Sequence, residues 1–477
     1  MPGIGRDEWV DSVEARRDED SGGLGLFRRR IGGSGRRWVP LVVGAVAVAY
    51  PLLLRSEFLV RVGVNVLLLM LLALGLNIVV GWTGLLDLGY VAYYGMGAYG
   101  YAFLASDQFG IHLPTLAVIG IVVIAMGVIG YLLGLPTRRL SGDYLAILTL
   151  FFLQVFVELT LNLDRLRLPF IDRTLSITGG PNGIAGVDPM SILGLHFQRV
   201  SDYYYLLLGL IIVMISGLVR LEHSRTGRAW MAIREDPLAA EHMTVPVARM
   251  KVMAYAIGAA VAGLTGTVFA AVQTGVFPQN FTVTLLIVVY AALILGGSGS
   301  IAGAVFGAVV IGAIPEILRI PGGGRVLFYG ALLAGGLIWL RPRRRLVVVG
   351  VGTLALGLGV RLMTATWWPE VIAGPQDGSG IGRLFGRWLV QLAPTKLWVA
   401  NLAFVLLVIL VLTAVIAIEP WRTALLIPVV YLAVFVWENR LVTEPSITRQ
   451  LIFGVLLVVM MAIRPQGLLG KPRVEIV

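Results

Sequence analysis

The chain contains no cysteine, and charged residues make up only 14% of its 477 residues. Without cysteine, neither a disulfide framework nor a thiolate metal site is possible. A soluble domain carries roughly 25% charged residues, so the low charge argues against a soluble protein. Lysine is also scarce, because nearly all of the basic residues are arginines. These scarcities favour a membrane protein.

Long apolar runs follow one another along most of the chain, in which 57% of residues are hydrophobic. A membrane-crossing helix needs about 20 apolar residues. Runs at or near that length fall at 38–55, 59–82, 113–134, 143–163, 202–221, 251–277, 279–297, 324–340, 345–363, 396–418 and 421–437, and shorter or glycine-rich ones near 85–105, 300–319 and 449–463. The pattern predicts an all-α polytopic transmembrane helical bundle of about 14 segments, with broken or re-entrant helices among them. An even number places both termini on one side of the membrane.

The net charge of +11 comes from short basic clusters between the apolar runs, not from one continuous stripe. Such clusters mark cytosolic loops in multi-spanning bacterial proteins, so we expect an inner membrane protein with both termini in the cytosol. The clusters lie at 28–37, 138–139, 220–251, 341–345 and 464–473. Membrane lipid, and not nucleic acid, is the partner that this distribution indicates. Residues 1–37 are polar and mix acids with arginines, which predicts a disordered cytosolic tail.

One stretch is too polar and too glycine-rich for a plain lipid-facing helix, namely Gly81-Trp-Thr-Gly-Leu-Leu-Asp-Leu-Gly-Tyr90. Irregular backbone at membrane depth is tolerated only where protein buries it or where it lines a water-filled path. The stretch therefore predicts a broken helix beside a translocation path, with the candidates Asn77, Thr83, Asp87, Tyr90 and Tyr94. The alternative is close helix packing through small residues. A second glycine-rich break, at 296–300, is predicted to be a tight turn, with another discontinuous helix as the alternative.

The basic loop 222–250 carries the signals of a short helix. Asp236 before Pro237 is a typical helix start, because the carboxylate can cap free amides and proline is preset for the first helical position. A second proline nine residues later ends the segment. We expect Ala239 and Ala240 to offer a smooth surface that another protein can approach closely. The alternative is an ordinary basic cytosolic loop.

Five collinear stretches, at 84–99, 141–147, 178–183, 227–245 and 464–470, form a more specific pattern. Together they resemble the LivM-type permease of branched-chain amino acid uptake, a family within the ATP-binding-cassette importers. The resemblance covers roughly 40–340 and the last thirty residues. It implies a LivH-type second permease subunit, two cytosolic ATPase subunits and an extracytoplasmic substrate-binding protein as partners.

The resemblance also implies which residues couple the permease to its ATPases: Arg234, Glu235, Asp236, Leu238, Ala239, Ala240 and Glu241. Thr244 departs from the family, which usually has glycine there. The chain contains no G-x-x-x-x-G-K-[ST] phosphate loop, so other chains are expected to hydrolyse ATP. We therefore expect a transport subunit and not an enzyme, with no cofactor and no metal.

Two other transport functions remain as alternatives. Urea and short-amide permeases share the same motifs. An ion-coupled secondary transporter would need carboxylates or histidines deep in the membrane, and Asp87 is the only clear deep carboxylate in the sequence.

The chain continues well past the point where the family normally ends. Arg325-Val-Leu-Phe-Tyr-Gly330, leading to an Arg-Pro pair at 341–342, is echoed by Arg449-Gln-Leu-Ile-Phe-Gly454, leading to a second pair at 464–465. The echo predicts a permease core at 38–341, an extra transmembrane module at 342–448, and a last helix with a cytosolic tail at 449–477. Since the module lies beyond the path and coupling motifs, it is expected to be peripheral, for contact with lipid or a partner subunit.

Overall fold

The computed structural model describes residues 35–53, 56–136, 142–164, 166–167, 174–175, 177–192, 194–319, 321–340, 343–371, 388–393, 396–417 and 421–441, together with 451, 454–455, 458 and 467–470. Most of the predicted tail, both Arg-Pro pairs and most of the run at 449–463 lie outside the described residues. The first described helix begins at Gly35.

Fifteen α-helices make up most of the described chain. They are α1 (Gly35–Leu53), α2 (Glu57–Leu76), α3 (Tyr90–Leu104), α4 (Thr115–Gly134), α5 (Asp143–Asn162), α6 (Val200–Glu222), α7 (Arg225–Glu235), α8 (Pro237–His242), α9 (Val247–Gln273), α10 (Val283–Gly296), α11 (Ile301–Arg319), α12 (Pro321–Trp339), α13 (Arg343–Trp367), α14 (Leu397–Ile416) and α15 (Trp421–Val436). Two π-helical segments, Asn77–Trp82 and Trp437–Leu441, extend α2 and α15.

The helices confirm the predicted polytopic architecture. Among the described residues, eight helices are long and apolar enough to cross a membrane, and four shorter helices are also apolar. Strands in the same part of the chain are only two residues long, from β1 (Ala105–Ser106), β2 (Ile111–His112), β3 (Leu166–Arg167), β4 (Thr174–Leu175), β5 (Ile184–Ala185), β6 (Ser191–Ile192) and β7 (Leu195–His196) to β8 (Gly275–Val276). They pair antiparallel as β1 with β2, β3 with β4, β5 with β8 and β6 with β7.

The chain divides into two compact units, and the first comprises residues 1–75 and 85–282. Its centre is α9, which packs against both α3 and α4. Gly97 of α3 faces Gly263 of α9 so closely that a Cβ at 97 would overlap the backbone of the other glycine. Gly266 lies equally close to the backbone of Tyr94. Small residues thus permit the close approach of these helices, as in other membrane bundles.

The loops at one end of the first unit are tied together by β-bridges and one side-chain pair. Ser106 bridges to Val187, and the Asp188 amide donates to the Ala105 carbonyl at 2.9 Å. His112 Nδ1 lies 2.6 Å from Asp188 Oδ2. This hydrogen bond to a carboxylate raises the pKa of the exposed His112 imidazole above its usual value.

The second unit comprises residues 76–84 and 283–477. Its first helices, α10 and α11, cross where Gly296 meets Gly303 and where Gly307 meets the Ala292 carbonyl, with no room for a Cβ at any of the three glycines. Its other helices enclose an apolar core formed by Leu389, Val390, Leu392, Ala400, Tyr431, Val434, Phe435 and Val436.

Candidate functional site

The predicted broken helix is present. Helix α2 continues as a π-helical turn over Asn77–Trp82, and the chain is then non-helical until α3 begins at Tyr90. Gly84 lies in the break with a φ of 70°, a conformation that favours glycine. With 15 residues, α3 is about 22 Å long and cannot cross a hydrocarbon core of about 30 Å. The prediction of a broken helix is therefore confirmed.

Asp87 lies in the break, within the first unit, and is almost fully buried. Its Oδ1 accepts a hydrogen bond from the Gly89 amide at 2.9 Å, directly before α3. The neighbouring Leu88 amide donates to Thr149 Oγ1 of α5, also at 2.9 Å. Thr149 was missed in the sequence, although it lies two residues after the motif at 141–147. The break is thus held at its end by a side chain from another helix.

The two candidate tyrosines lie in α3 and are buried in the same unit. Tyr94 packs its ring against Phe269 and Phe281, with ring centroids 5.3 and 5.4 Å apart. Phe281 also contacts Tyr99 and Phe156, at 6.1 Å each. Tyr94 thus belongs to an aromatic cluster around Phe281, a role that the linear sequence does not reveal.

Asn77 and Thr83 belong to the second unit and are also buried. The Thr83 hydroxyl donates to the Val79 carbonyl within its own turn. Asn77 Oδ1 accepts from the Gly299 amide at 2.8 Å, and the Trp82 indole donates to the Gly299 carbonyl at 3.2 Å. Asn77 and Trp82, both in the π-helical turn, therefore bind the second glycine-rich break.

That second break is a turn, as predicted. It joins α10 to α11, and Gly297 and Gly299 adopt φ values of 112° and 88°. Only glycine takes these values at little cost. Ser300 then begins α11, because its hydroxyl accepts from the Gly303 amide at 3.1 Å.

The loop 222–250 folds into two helices, of which α8 is the predicted short one. Asp236 caps it by accepting from the amides of Leu238 and Ala239 at 2.8 and 3.1 Å. In α7, Trp230 is fully buried, and its indole donates to the Met250 carbonyl at 2.8 Å. This tryptophan, which the sequence did not single out, fixes the loop to the start of α9.

The exposed face of α8 differs from the one expected. Ala240 is only 5% exposed, so its side chain faces the protein and not the solvent. The interpretation of Ala240 as a surface residue is corrected, because one side of so short a helix must cover the loop's own core. Leu238, at 70%, and Met243, at 79%, are the large apolar side chains in solvent. Of the other predicted coupling residues, Arg234 is half-buried, whereas Glu235, Asp236, Ala239 and Glu241 are exposed.

Thr244 ends this segment in a conformation that suits glycine, with a φ of 66°. A β-branched residue in this conformation costs about 1–2 kcal/mol. Glycine avoids that cost but loses more backbone entropy on folding, which offsets part of the gain. We expect Thr244→Gly to raise the free energy of unfolding by about 0.5–1 kcal/mol, measured as a higher melting temperature of the purified protein. Thr244→Ala, which keeps a Cβ, is the control and gives no comparable gain. Equal melting temperatures for the glycine variant and the parent would contradict the assignment.

A second buried carboxylate corrects the expectation that Asp87 is the only clear one. The Glu438 side chain, in the π-helical segment after α15, is only 5% exposed. It binds Arg325 of α12 through both oxygens, at 2.8 to 3.1 Å, and accepts from the Tyr329 hydroxyl at 3.0 Å. The sequence did not indicate this because Glu438 follows directly after an apolar run and its partners lie more than a hundred residues earlier.

The residues on either side of Glu438 make further contacts. Trp437 stacks on Phe328 with centroids 4.3 Å apart. Asn439 accepts from the Leu392 amide at 2.7 Å and donates to the Val390 carbonyl at 2.9 Å. Residues 437–439 thus connect the predicted extra module to α12, on the other side of the predicted boundary.

The comparison with known proteins covers the broken helix and the loop 222–250. The family model described as "Branched-chain amino acid transport system / permease component" matches residues 58–334, more than half of the chain. The high-affinity branched-chain amino acid transport system permease proteins LivM of Escherichia coli (strain K12) and Salmonella typhimurium are each 36% identical over 322 residues, which covers 62% of this chain and 72% of theirs. No solved structure matches. Helices α13 to α15 lie beyond the family match. The chain belongs to the family of branched-chain amino acid transport system permease components.

Proposed function

We propose that this chain is the transmembrane permease subunit of an ATP-driven importer and carries branched-chain amino acids across the inner membrane. The observation that carries the proposal is the family match over 58–334, which includes both the broken helix and the loop 222–250. A broken helix supplies irregular backbone for a path, and the capped helix α8 supplies a surface for another subunit. The test is whether the reconstituted complex takes up branched-chain amino acids only when ATP and the binding protein are both present.

The partners that we propose are a second, LivH-type permease subunit, two cytosolic ATPases and an extracytoplasmic binding protein. The relatives are named as permease proteins of a transport system, so other subunits share the work. The sequence holds no phosphate-binding loop of its own, which assigns ATP hydrolysis to separate chains. We further propose that both termini and the loop 222–250 face the cytosol, while 178–200 and 364–395 face outward. The positions of the arginine clusters support this orientation.

We propose that α8 docks on an ATPase through Leu238 and Met243. Both are large apolar side chains in solvent within a basic loop, where burial against a partner is favourable. Movement of α8 would reach the membrane helices through Trp230, whose indole bonds to the Met250 carbonyl of α9. Since α9 is the central helix of the first unit, this bond supplies a direct mechanical connection from the loop to that unit's core.

For the translocation path, we propose the residues that the sequence singles out: Asn77, Thr83, Asp87, Tyr90 and Tyr94. All five are buried. A carboxylate is costly at membrane depth and is retained mainly where it serves transport. The break places Asp87 directly before the start of α3, where the positive end of the helix dipole favours a negative charge.

Asp87→Asn tests the charge, because asparagine keeps the shape and the acceptor for the Gly89 amide. We expect uptake to fall about tenfold. That factor corresponds to the loss of roughly 1.4 kcal/mol of favourable electrostatic interaction made by the Asp87 carboxylate at a site of low dielectric. Assembly and melting temperature should stay unchanged, whereas Asp87→Ala, which also removes the acceptor, should lower both. Uptake equal to that of the parent would exclude a role for the charge.

A further inference from the structure

The turn between α10 and α11 is contacted by a segment from the far end of the chain. The Leu468 amide donates to the Leu295 carbonyl, and the Leu469 amide donates to the Gly296 carbonyl, both at 2.9 Å. Residues 467–470, all in the second unit, are part of the last motif in the sequence, Arg464-Pro-Gln-Gly-Leu-Leu-Gly470. The family match ends before this motif and gives it no role.

These two hydrogen bonds provide partners for backbone carbonyls at the C-terminal end of a helix. Helix α10 ends at Gly296, and the last carbonyls of a helix have no partner within it. Within the turn, the Gly297 amide donates to the Leu293 carbonyl at 2.9 Å. The carbonyls of Leu295 and Gly296 accept from the tail instead. The tail therefore caps α10 from a distance of about 170 residues along the chain.

The fit of the tail against the turn requires glycine on both sides. Gly467 has a φ of 80°, and a Cβ there would overlap the Cα of Gly297. The turn cannot move away toward α11, because Gly296 already meets Gly303 without room for a Cβ. The contact between tail and turn is thus one of backbone on backbone.

The same turn binds the π-helical end of α2 through Gly299. Asn77 Oδ1 accepts from its amide and the Trp82 indole donates to its carbonyl. The side-chain amide nitrogen of Asn77 is buried and has no hydrogen-bond partner among the residues that the structure describes. Its donor is therefore available to a ligand, and its orientation is set by the bond of Oδ1 to the turn.

We propose that residues 467–469 are a positioning segment for transport. By capping α10 they fix the turn at 297–300, and through Gly299 they fix the orientation of Asn77 at the break of α2. The role rests on the proposed function, since it assumes that Asn77 serves the path. The segment acts on transport through the turn and touches no substrate itself.

Leu468→Pro is the main test, because proline removes the amide that bonds to Leu295, and Leu468→Ala is the matched control that keeps this amide. Both are made in the full chain, assembled with its partner subunits. Loss of one backbone hydrogen bond and its neighbour corresponds to about tenfold in the local opening equilibrium. We expect amide hydrogen exchange at 77–82 and 297–303 to accelerate about tenfold in the proline variant and uptake to fall below that of the parent. The alanine control should match the parent in both measurements.

Each other outcome overturns the proposal. Unchanged exchange and uptake would show that the tail does not hold the turn. Faster exchange with normal uptake would show that the turn does not need to be held, and lost uptake with normal exchange would place the role of the tail elsewhere. If the proline variant fails to assemble, Gly467→Ala, which forces a methyl group against Gly297, is read in the same way. Asn77→Ala separates the two proposals, because normal uptake by that variant removes Asn77 from the path while the exchange result still reports whether the tail holds the turn.

Discussion

Replacing Leu238 by aspartate is expected to abolish substrate-stimulated ATP hydrolysis in the assembled transporter. Leu238 is the exposed large apolar side chain within α8, at 70%, so its replacement does not disturb the permease's own core. Burying a leucine against a partner contributes about 1.5–3 kcal/mol, and an aspartate placed there adds an unpaired charge to the interface. A loss of at least about 3 kcal/mol weakens docking more than a hundredfold. The measurement is the ATPase rate with and without the loaded binding protein.

Leu238→Met is the matched control, because methionine keeps an apolar side chain of similar volume and should retain most of the stimulation. A change at Ala240 is not a suitable test. That residue is buried beneath α8, so a large side chain there would disrupt the loop itself. Full stimulation in the aspartate variant would show that the loop is an ordinary cytosolic connection.

Glu438→Gln is expected to destabilise the second unit by about 2 kcal/mol. The glutamate binds Arg325 through both oxygens and also accepts from Tyr329, and such charged hydrogen bonds contribute about 1.5–3 kcal/mol each. The cost stays below the roughly 3–5 kcal/mol of a fully buried pair, because the Arg325 side chain is still 38% exposed. The measurement is the melting temperature of the purified permease.

A double variant separates the charge pair from the packing around it. Arg325→Met with Glu438→Leu removes both charges and keeps apolar volume, so it should recover much of the lost stability. Either single change alone should not. If the Glu438→Gln variant has the same melting temperature as the parent, the Arg325–Glu438 pair does not stabilise the contact between the extra module and α12. A deletion of 343–465 would also leave Arg325 and Phe328 without these partners, Glu438 and Trp437.

Features written in a short stretch of sequence could be predicted. The break after α2 followed from its glycines and polar residues, the start of α8 from Asp236 before a proline, and the turn at 296–300 from its glycines. In each, the local backbone conformation depends on residues within a few positions. The departure at Thr244 was also visible, and the structure gives its reason in a positive φ.

Features that depend on distant segments could not be predicted. The burial of Ala240 is decided by what packs beneath α8, and its small size alone fits either face. Glu438 adjoins an apolar run, and only the fold brings it to Arg325. The tail motif at 464–470 could be noticed as a pattern, but its contact with the end of α10 joins residues about 170 positions apart. Such contacts depend on how the whole chain folds, and no short stretch of the sequence indicates them.

Uptake by the reconstituted complex tests the central claim most directly. The chain, its second permease subunit and the ATPases are placed in lipid vesicles, the binding protein is supplied on the side of the 178–200 loop, and labelled leucine, isoleucine and valine are offered together with urea as a competitor. We predict that the amino acids accumulate only when ATP and the binding protein are both present, and that urea does not compete. Accumulation driven by an ion gradient without ATP, or uptake of urea in place of the amino acids, would contradict the account.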